Sequence, residues 1–431
     1  MNIALIVFIV LFILVFIIRI PIALGMFMSS IFYFSLAKGP MADISMVATQ
    51  FLTSLNSSFV LIAVPLFVFM AEIMNSGKVT DMIFSFATAL VGRRRGGLGH
   101  VNVVASIIFS GMTGSALADA SGLGMMEIRA MKKHGYDDGF SCAITAASAT
   151  IGPVFPPSIP MIFYSMLSGA SVGALFMGGM LPGILVGLAL MAYIAYIANK
   201  HQYVRGDMIT FSQLILVTVK AAPALFSVVI LLGGIYSGIV TPTEAGALAS
   251  LYAIIISVFV YRSVGWQDFA GILAATVKTT GILSLLVGSA YVFSYIVAIE
   301  RIPGIVAEFL LNVTQNKYLL LLLINITFIV LGMFVDTMTI ILVFIPIVLP
   351  LVQALGIDLV HFGVVITLNM MIGLSTPPFG MLLFVVSGIS GTPLKVVIKS
   401  IAPMLIVLFG VLFLITYVPP LVTFIPNFFG M

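Results

Sequence analysis

The chain has 431 residues, of which 61% are hydrophobic and only 7% are charged, and its mean hydropathy is +1.27. Soluble domains carry about 25% charged residues, so this composition excludes a water-soluble enzyme, a nucleic-acid-binding protein and a disordered chain. The net charge of +4 comes from Lys and Arg residues in short connections between apolar runs. Those runs approach 20 residues, which is typical of spanning helices and not of β-barrel strands. The sequence therefore predicts an all-α polytopic membrane protein.

Ten stretches are apolar enough to cross a bilayer core of about 30 Å, and two of these are interrupted near the middle. In chain order they are 2–19, 21–38, 57–76, 138–170 (broken), 173–198, 219–239, 243–263, 280–300, 359–390 (broken) and 397–423. Segments of mixed polarity between them are predicted to lie along the membrane interface. These are 41–55, 79–92, 266–278 and 303–315.

Two further stretches, 98–134 and 317–356, are predicted to be re-entrant helical hairpins. The first is flanked by basic residues at both ends, and positive charge marks the cytoplasmic side of a membrane protein. Its first arm, 98–111, spans roughly 21 Å of helix, which is too short to cross. A turn of mostly small residues follows, SGMTGSALADASG at 110–122.

The distribution of basic residues supports this topology. With both termini outside, ten crossings and the two hairpins, fifteen basic residues fall inside and three outside. Replacing either hairpin by a true crossing removes this bias. The inside residues are Arg19, Lys78, Arg93, Arg94, Arg95, Arg129, Lys132, Lys133, Lys200, Arg205, Lys220, Arg262, Lys278, Lys395 and Lys399. The outside residues are Lys38, Arg301 and Lys317.

The two halves of the sequence resemble each other. IGPVFPP at 151–157 matches IGLSTPP at 372–378, and the two motifs are separated by about half the chain. Asp119 in GSALAD corresponds to Asp336 in GMFVD at a similar separation. Each half has five full crossings, an odd number, so the second half is inverted relative to the first. Inverted repeats with discontinuous helices are typical of ion-coupled secondary transporters.

The repeat divides the chain into six segments. Scaffold and arm helices occupy the start of each half, and a hairpin with a broken helix forms the transport domain of each half. The scaffold segments are 1–97 and 219–316, and the transport segments are 98–170 and 317–390. A crossing helix with its cytoplasmic connection occupies 171–218, and the last crossing helix lies in 391–431.

The two broken helices contain the chemistry expected of an ion site. Prolines at 156, 157, 377 and 378 lack backbone donors and interrupt the helices, and Gly152 and Gly373 let the chain leave helical geometry. Unwound backbone at membrane depth is tolerated only when it is buried or faces a wet cavity. The freed carbonyl groups are oxygen ligands suited to an alkali cation.

Asp119 and Asp336 are the two acids that this topology places near mid-membrane. Intramembrane carboxylates are costly unless they are paired, hydrated or bound to an ion, so a functional role is expected. The alternative is that each one caps a helix at its hairpin turn. Hydroxyl groups that could join them belong to Ser110, Thr113, Ser115, Thr337, Thr339 and Thr376.

Ser148 and Asn369 occupy equivalent positions in the repeat, since each lies three residues before its IG motif and about one turn before the break. There a polar side chain could face a substrate. An interhelical hydrogen bond is the alternative for both.

Enzymatic interpretations of the sequence have little support. GASVG at 169–173 matches G-x-S-x-G but has no preceding strand, and Gly77-Lys78 lacks the remainder of a P-loop. The four histidines, at 100, 134, 201 and 361, are scattered. An intramembrane aspartyl protease would need Asp119 and Asp336 close together on continuous helices. Glycine-rich hairpin turns do not offer that arrangement.

An ordered set of motifs resembles the large membrane subunit of tripartite ATP-independent periplasmic (TRAP) transporters. The resemblance extends from the first helix to the last. The motifs are SGMTGSALADASGLG at 110–124, IGPVFPPS at 151–158, TPTEAGA at 241–247, RIP at 301–303, and GMFVD with STPP in the second half.

This resemblance implies a function and partners. Members of the family pair with a small four-helix membrane subunit and receive substrate from a periplasmic substrate-binding protein. They are sodium-coupled importers of organic acids, such as C4-dicarboxylates, sialic acid and other sugar acids, in the bacterial inner membrane. Their fold resembles an elevator-type transporter. Because the resemblance starts at the first helix, we expect the small subunit to be a separate chain.

The resemblance also implies two Na⁺ sites, each where a hairpin turn meets a broken helix. The first would use Ser110, Ser115, Asp119, Gly152 and Pro153. The second would use Gly332, Asp336, Thr337, Gly373 and Thr376. Substrate contacts are predicted at Ser148, Asn369, Thr113 and Thr339. A proton-coupled carrier of the same fold, in which Asp119 or Asp336 titrates, is the alternative within transport.

Overall fold

The structure is a computed structural model that describes residues 3–18, 20–37, 43–56, 60–75, 77–201, 203 and 210–430. Every regular element in these ranges is a helix, which confirms the all-α prediction. Seven of the described helices are long and apolar enough to cross a membrane, as expected of a multi-pass membrane protein. The number of crossings and the re-entrance of the hairpins stay predictions. Arg19, Lys38 and Arg205, which the charge count includes, lie outside the described ranges.

Helices of the first half follow the predicted order. They are α1 (Ile3–Ile18), α2 (Ile22–Leu36), α3 (Ser45–Asn56), α4 (Val60–Met74), α5 (Gly77–Val91), α6 (Gly97–Thr113), α7 (Ala116–Ser121), α8 (Leu123–Lys133), α9 (Asp138–Ala149), α10 (Ile159–Ser168) and α11 (Val172–Lys200). The predicted first hairpin consists of α6 and α8, with the short helix α7 in its turn. The predicted broken helix consists of α9 and α10.

The second half has the same organisation. Its helices are α12 (Phe211–Tyr236), α13 (Pro242–Ile255) with a π-helical continuation (Ile256–Val260), α14 (Trp266–Ile299), α15 (Ile302–Val313), α16 (Lys317–Phe334), α17 (Thr337–Ala354), α18 (Leu359–Leu374), α19 (Met381–Ser390), α20 (Leu394–Tyr417) and α21 (Pro420–Phe428). Here α16 and α17 form the predicted hairpin, and α18 and α19 form the broken helix.

One predicted boundary is wrong. The sequence suggested an interfacial helix at 266–278 separate from a crossing at 280–300, but the structure has one continuous helix of 34 residues, Trp266–Ile299. The stretch contains no proline, and the polar residues at its centre, Lys278, Thr279 and Thr280, are compatible with helical backbone. Polarity alone therefore does not end a helix here.

Both predicted breaks are present. The first separates Ala149 from Ile159, and the second separates Leu374 from Met381. The proline pairs lie within these breaks because they cannot donate the hydrogen bonds that would continue a helix. After the first break, the Ser158 hydroxyl accepts the backbone N–H of Met161 at 3.2 Å, which starts α10 with a side-chain cap.

The two halves interlock around these breaks. In each half the first hairpin arm packs on the first part of the broken helix, α6 on α9 and α16 on α18. The second part of each broken helix packs on the hairpin of the other half, α10 on α17 and α19 on α7. Each hairpin therefore lies beside two elements. One is the break of its own half, and the other is the helix that follows the break of the other half.

Two helices outside the hairpins flank this assembly. Helix α4 packs against α6 and α10, and α14 packs against α17. The same two helices also contact each other, and outside this assembly α4 contacts α13 and α14 contacts α2 and α3. The interlocked hairpins and broken helices therefore rest against a wall formed by α4 and α14.

Candidate functional site

A cavity of about 290 Å³ lies where the turns of the two hairpins meet. Its walls include the first turn at 113–118, the second turn at 336–338, Pro153 in the first break, and Leu374 and Met381 on either side of the second break. On the opposite side α4 and α14 contribute Glu72, Thr279 and Leu283. Predicted site residues that line the cavity are Thr113, Ser115, Pro153, Asp336 and Thr337. The structure therefore brings together residues of both predicted sites at a single cavity.

The N-terminal ends of helices α7, α10, α17 and α19 face this cavity. The first residue of each one lines the cavity wall: Ala116, Ile159, Thr337 and Met381. The first N–H groups of a helix have no partner within it, and together with the helix dipole they carry a partial positive charge. Such ends favour anions. The cavity is thus suited to a carboxylate even though no Lys or Arg of the described residues lines it.

Asp336 both caps a helix and lines the cavity. Its Oδ2 accepts the backbone N–H of Thr339 at 3.0 Å, and its Oδ1 accepts the Thr339 hydroxyl at 2.6 Å. The neighbouring Thr337 hydroxyl is buried and has no hydrogen-bond partner among the described residues. A carboxylate and an unsatisfied hydroxyl therefore lie side by side at the start of α17, and both can contribute oxygen to a cation.

Asp119 is placed differently. It lies within α7, only 1% exposed, and the residue that caps α7 is Ser115, whose hydroxyl accepts the Ala118 N–H at 3.4 Å. The helix-cap interpretation of Asp119 is therefore not what the structure shows. Neither carboxylate oxygen accepts a well-formed hydrogen bond from a described residue, although the Ser106 hydroxyl lies nearby. Asp119 is buried behind the first hairpin turn, outside the cavity wall.

Two acids near the site escaped the sequence analysis. Glu127 in α8 is 1% exposed, its oxygens have no partner in the described part of the chain, and it is close enough to Asp119 for their charges to interact. Glu127 shares the buried face of α8 with Leu123 and Met131, at i−4 and i+4, and that spacing was the available signal. Glu72, on the wall opposite the hairpins, gave no comparable signal.

Glycines bring each hairpin against its own break. A Cβ on Gly152 would lie 3.5 Å from the carbonyl carbon of Ser115, so the first break contacts the first hairpin turn. A Cβ on Gly373 would lie 2.8 Å from the Cα of Gly332, so α16 and α18 touch through their backbones. The main-chain groups that the sequence analysis assigned to each site are therefore adjacent.

Two predicted hydroxyl ligands donate to nearby helix carbonyls, Ser110 from within α6 and Thr376 from the second break back to the end of α18. Ser110 donates to the carbonyl of Ile107, and Thr376 donates to the carbonyl of Ile372, each at 2.6 Å. Both hydroxyl oxygens keep lone pairs for a further contact. Neither side chain belongs to the cavity wall, so these two positions lie beside the cavity and not in it.

Ser148 and Asn369 form interhelical hydrogen bonds with asparagines on the hairpin arms. The Ser148 hydroxyl donates to Asn102 Oδ1 at 2.6 Å, which joins α9 to α6. The Asn369 side-chain amide donates to Asn325 Oδ1 at 2.8 Å, which joins α18 to α16. Asn102 and Asn325 were not noticed in the sequence, and the signal was that they occur at nearly equivalent positions of the repeat. A substrate contact at Ser148 or Asn369 stays a prediction.

The helical architecture, in which seven described helices are long and apolar enough to cross a membrane, is that of a polytopic membrane protein, and the cavity lies among its helices. The family described as "Tripartite ATP-independent periplasmic transporter, DctM component" matches residues 6–421. The chain belongs to this family, which confirms the resemblance noted in the sequence. It is a transporter protein and not an enzyme.

Individual relatives agree with this assignment. The chain is 43% identical to the sialic acid TRAP transporter large permease protein SiaM of Vibrio cholerae, over 90% of each chain. It is 40% identical to the sialic acid TRAP transporter permease protein SiaT of Haemophilus influenzae, over 95% of this chain and 66% of that protein. Among solved structures, the YdaH transporter of Alcanivorax borkumensis has a similar fold, with a TM-score of 0.61 at 14% identity. That match covers 91% of this chain and 96% of YdaH.

Proposed function

We propose that this chain is the large membrane subunit of a sodium-coupled importer of an organic acid, with sialic acid as the first candidate substrate. The observation that carries the proposal is the convergence of four helix N-termini on one cavity between the two halves. Two relatives with at least 40% identity are named for sialic acid, which is a carboxylate. C4-dicarboxylates and other sugar acids are the further candidates that the family suggests.

The chemistry of the cavity favours an anion that arrives with a cation. Helix N-termini stabilise negative charge, and each favourable interaction contributes about 0.3–1 kcal/mol near a surface and more when it is partly buried. Asp336 adds a negative charge to the same wall, and Glu72 adds another on the opposite side. A carboxylate substrate would be repelled by these groups alone. A cation held by Asp336 and Thr337 neutralises the charge of Asp336 and weakens that repulsion, so that a carboxylate substrate can bind.

Sodium is the proposed cation and is carried together with the substrate. A hard alkali ion prefers carboxylate, hydroxyl and main-chain carbonyl oxygens. Asp336, the hydroxyl of Thr337, which has no partner among the described residues, and the backbone at Gly373 offer this set in the second half. In the first half the backbone at Ser115, Gly152 and Pro153 offers it, with Asp119 behind the turn. Coupling results if the turns hold the substrate only when the ions are bound.

Movement is proposed to occur between the interlocked hairpins and the wall formed by α4 and α14. The hairpins and broken helices of both halves pack on each other, so they can move as one body. The cavity lies between that body and residues Glu72, Thr279 and Leu283 of the wall. Sliding of the body along the wall would carry the cavity from one side of the membrane to the other, as in an elevator.

The remaining partners follow from family membership. We propose a small four-helix membrane subunit, a periplasmic substrate-binding protein that delivers the substrate, and a location in the bacterial inner membrane. Exposed apolar side chains on the outer helices, such as Ile9 and Ile13 of α1, suit contact with lipid or with the small subunit.

Uptake by proteoliposomes tests the proposal. The chain is reconstituted with its small subunit, the cognate binding protein is added outside with radiolabelled sialic acid, and an inward Na⁺ gradient is imposed without ATP. We expect uptake only when the gradient and the binding protein are both present. Parallel assays with C4-dicarboxylates identify the substrate class.

Three results would reject the proposal in its present form. Uptake in Na⁺-free buffer driven by an imposed pH gradient would establish the proton-coupled alternative. Full uptake with ATP and no ion gradient would reject secondary transport. Cleavage of a transmembrane peptide by the purified protein would establish the aspartyl protease alternative, which the separate placement of Asp119 and Asp336 disfavours.

A further inference from the structure

A second cavity, of about 560 Å³, lies at the end of the molecule where the charge distribution places the cytoplasm. It is formed by the end of α5, the loop at 92–96, the first turns of α6 and the last turns of α11. Arg93, Arg94 and Arg95 line it together with His100. This cavity contains none of the residues assigned to transport, so it calls for a separate explanation.

The loop that carries the three arginines is held in place by its backbone. The N–H of Gly92 donates to the carbonyl of Thr88 at 2.9 Å, which extends the last turn of α5. Gly96 has a φ of +69°, and a Cβ there would lie 2.6 Å from the Cβ of Ala198 in α11. The loop therefore fits closely against α11 and presents its arginines from a defined position.

The positive charge of this loop has no described counter-charge. Within the described residues, the ion pair that the structure shows joins Lys132 to Asp138, away from this loop. Lining residues other than Arg93, Arg94, Arg95 and His100 are uncharged. Three guanidinium groups on one short loop repel each other, and an anion in the cavity relieves that repulsion. Each guanidinium can also donate two parallel hydrogen bonds to a phosphate group.

An independent feature of the same cavity is an unsatisfied polar atom. His100 is only 2% exposed, and its Nδ1 has no hydrogen-bond partner in the described part of the chain. Leaving a buried polar group without a partner is costly, so such groups normally have a ligand or water. His100 lies one turn into α6, whose N-terminal end also favours anions.

We propose that this cavity binds the phosphate group of an anionic phospholipid, with the arginine loop and His100 around the headgroup. The apolar part of its wall favours a lipid over free phosphate. Leu90 lines the cavity with 57% of its surface exposed, and Val91 and Ala195 are its apolar neighbours. Acyl chains can follow these side chains into the membrane. Basic pockets between helices on the cytoplasmic side are suited to such headgroups.

Native mass spectrometry of the full chain, delipidated and purified with its small subunit, tests the proposal. Phosphatidylglycerol and phosphatidylcholine are titrated separately. The variant Arg93→Ala/Arg94→Ala/Arg95→Ala is compared with Arg129→Ala/Lys395→Ala/Lys399→Ala, which removes the same charge from other exposed positions on the same side. We expect the arginine-loop variant to bind phosphatidylglycerol at least about tenfold more weakly, since each basic residue near anionic lipid contributes about 1 kcal/mol. The control variant should bind within about twofold of wild type.

Three results would overturn the proposal: equal weakening in both triple variants, equal affinity of the wild type for the two lipids, or displacement of phosphatidylglycerol by millimolar inorganic phosphate. The last would identify a site for free phosphate. If the triple variant does not fold, Arg94→Gln provides the same test with an expected loss of at least about threefold.

Discussion

Asp336 accepts two hydrogen bonds from Thr339, one from its backbone N–H at 3.0 Å and one from its hydroxyl at 2.6 Å. The first bond caps α17, and nearly any residue at position 339 could donate it, because the donor is a backbone N–H. The second one orients the carboxylate and satisfies one lone pair of Oδ1, and it leaves other lone pairs for a ligand in the cavity. Capping and ion binding are therefore compatible roles for this aspartate.

Thr339→Val separates these two bonds. Valine keeps the backbone N–H and the shape of the side chain but removes the hydroxyl that donates to Asp336. A hydrogen bond to a charged group contributes about 1.5–3 kcal/mol, so we expect lower thermal stability and a weaker response of uptake to Na⁺. Thr327→Val is the control, because the Thr327 hydroxyl is exposed and donates within its own helix to Leu323. Equal melting temperatures for the two variants would contradict this role of Thr339.

Gly114→Ala tests the first hairpin turn. Gly114 has a φ of +59°, and a Cβ there would lie 2.6 Å from the carbonyl oxygen of Pro157 in the first break. The left-handed conformation costs an alanine about 1–2 kcal/mol, and the clash moves the turn away from the break. We expect transport to be lost in protein that still reaches the membrane.

Gly410→Ala is the matched control for that variant. Among the described residues, nothing lies within 4 Å of a Cβ at Gly410 in α20, so alanine there should raise helix stability slightly and leave uptake intact. Wild-type uptake by Gly114→Ala would show that contact between the turn and the break is not needed for transport.

The positions of the two helix breaks could be predicted because they depend on the covalent structure of proline. Proline pairs cannot continue a helix, so both breaks were located from the sequence and confirmed. The continuous helix Trp266–Ile299 was not predicted, because a polar stretch without proline gives the same pattern whether it lies on the interface or within a longer helix.

The site could be predicted only in part, because packing decides which polar groups face a cavity. Asp336 and Ser115 line the cavity, and their role as ion ligands stays a prediction, whereas Asp119 lies behind the turn, and Ser148 and Asn369 bond to neighbouring helices. Glu127 was missed because basic residues follow it and suggest a solvated segment. Its burial depends on how α8 packs against α6 and α9, which the repeat pattern does not specify.

Lys132→Met tests the connection between the two transport segments. Lys132 at the end of α8 donates to the carbonyl of Ser390 at 3.1 Å and to the Thr392 hydroxyl at 3.0 Å, and it pairs with Asp138 at 3.1 Å. It therefore joins the first hairpin to the end of α19. Because the site is partly exposed, we expect a loss of about 1 kcal/mol, visible as a lower melting temperature.

Lys133→Met removes the same charge from an exposed neighbour whose side chain has no bond to any of the residues that the structure describes. Its melting temperature should stay close to that of the wild type. If both lysine variants melt at the same temperature, the bond from Lys132 to α19 contributes nothing to the joint stability of the halves.

Cysteine labelling tests the re-entrant topology of the first hairpin. Arg94 and Lys133 are exposed at its two ends, and the native Cys142 is buried. Single cysteines at 94 and 133 should therefore be labelled without a contribution from the native thiol. We expect a membrane-impermeant maleimide to label both from the cytoplasmic side only, and Lys317→Cys from the outside only. Labelling of positions 94 and 133 from opposite sides would make 98–134 a true crossing and would contradict the inverted repeat.

The Na⁺ dependence of uptake by Asp336→Asn tests the central claim most directly. Asparagine retains a capping oxygen but removes the negative charge that the proposed ion requires. Asp358→Asn is the control, because Asp358 caps α18 by accepting the His361 N–H at 2.7 Å and does not line the cavity. For Asp336→Asn in proteoliposomes we expect the Na⁺ concentration for half-maximal uptake to rise at least about tenfold, equivalent to about 1.4 kcal/mol, while Asp358→Asn stays near wild type. A well-folded Asp336→Asn protein with an unchanged Na⁺ titration would contradict the account and leave Asp336 with capping as its only role.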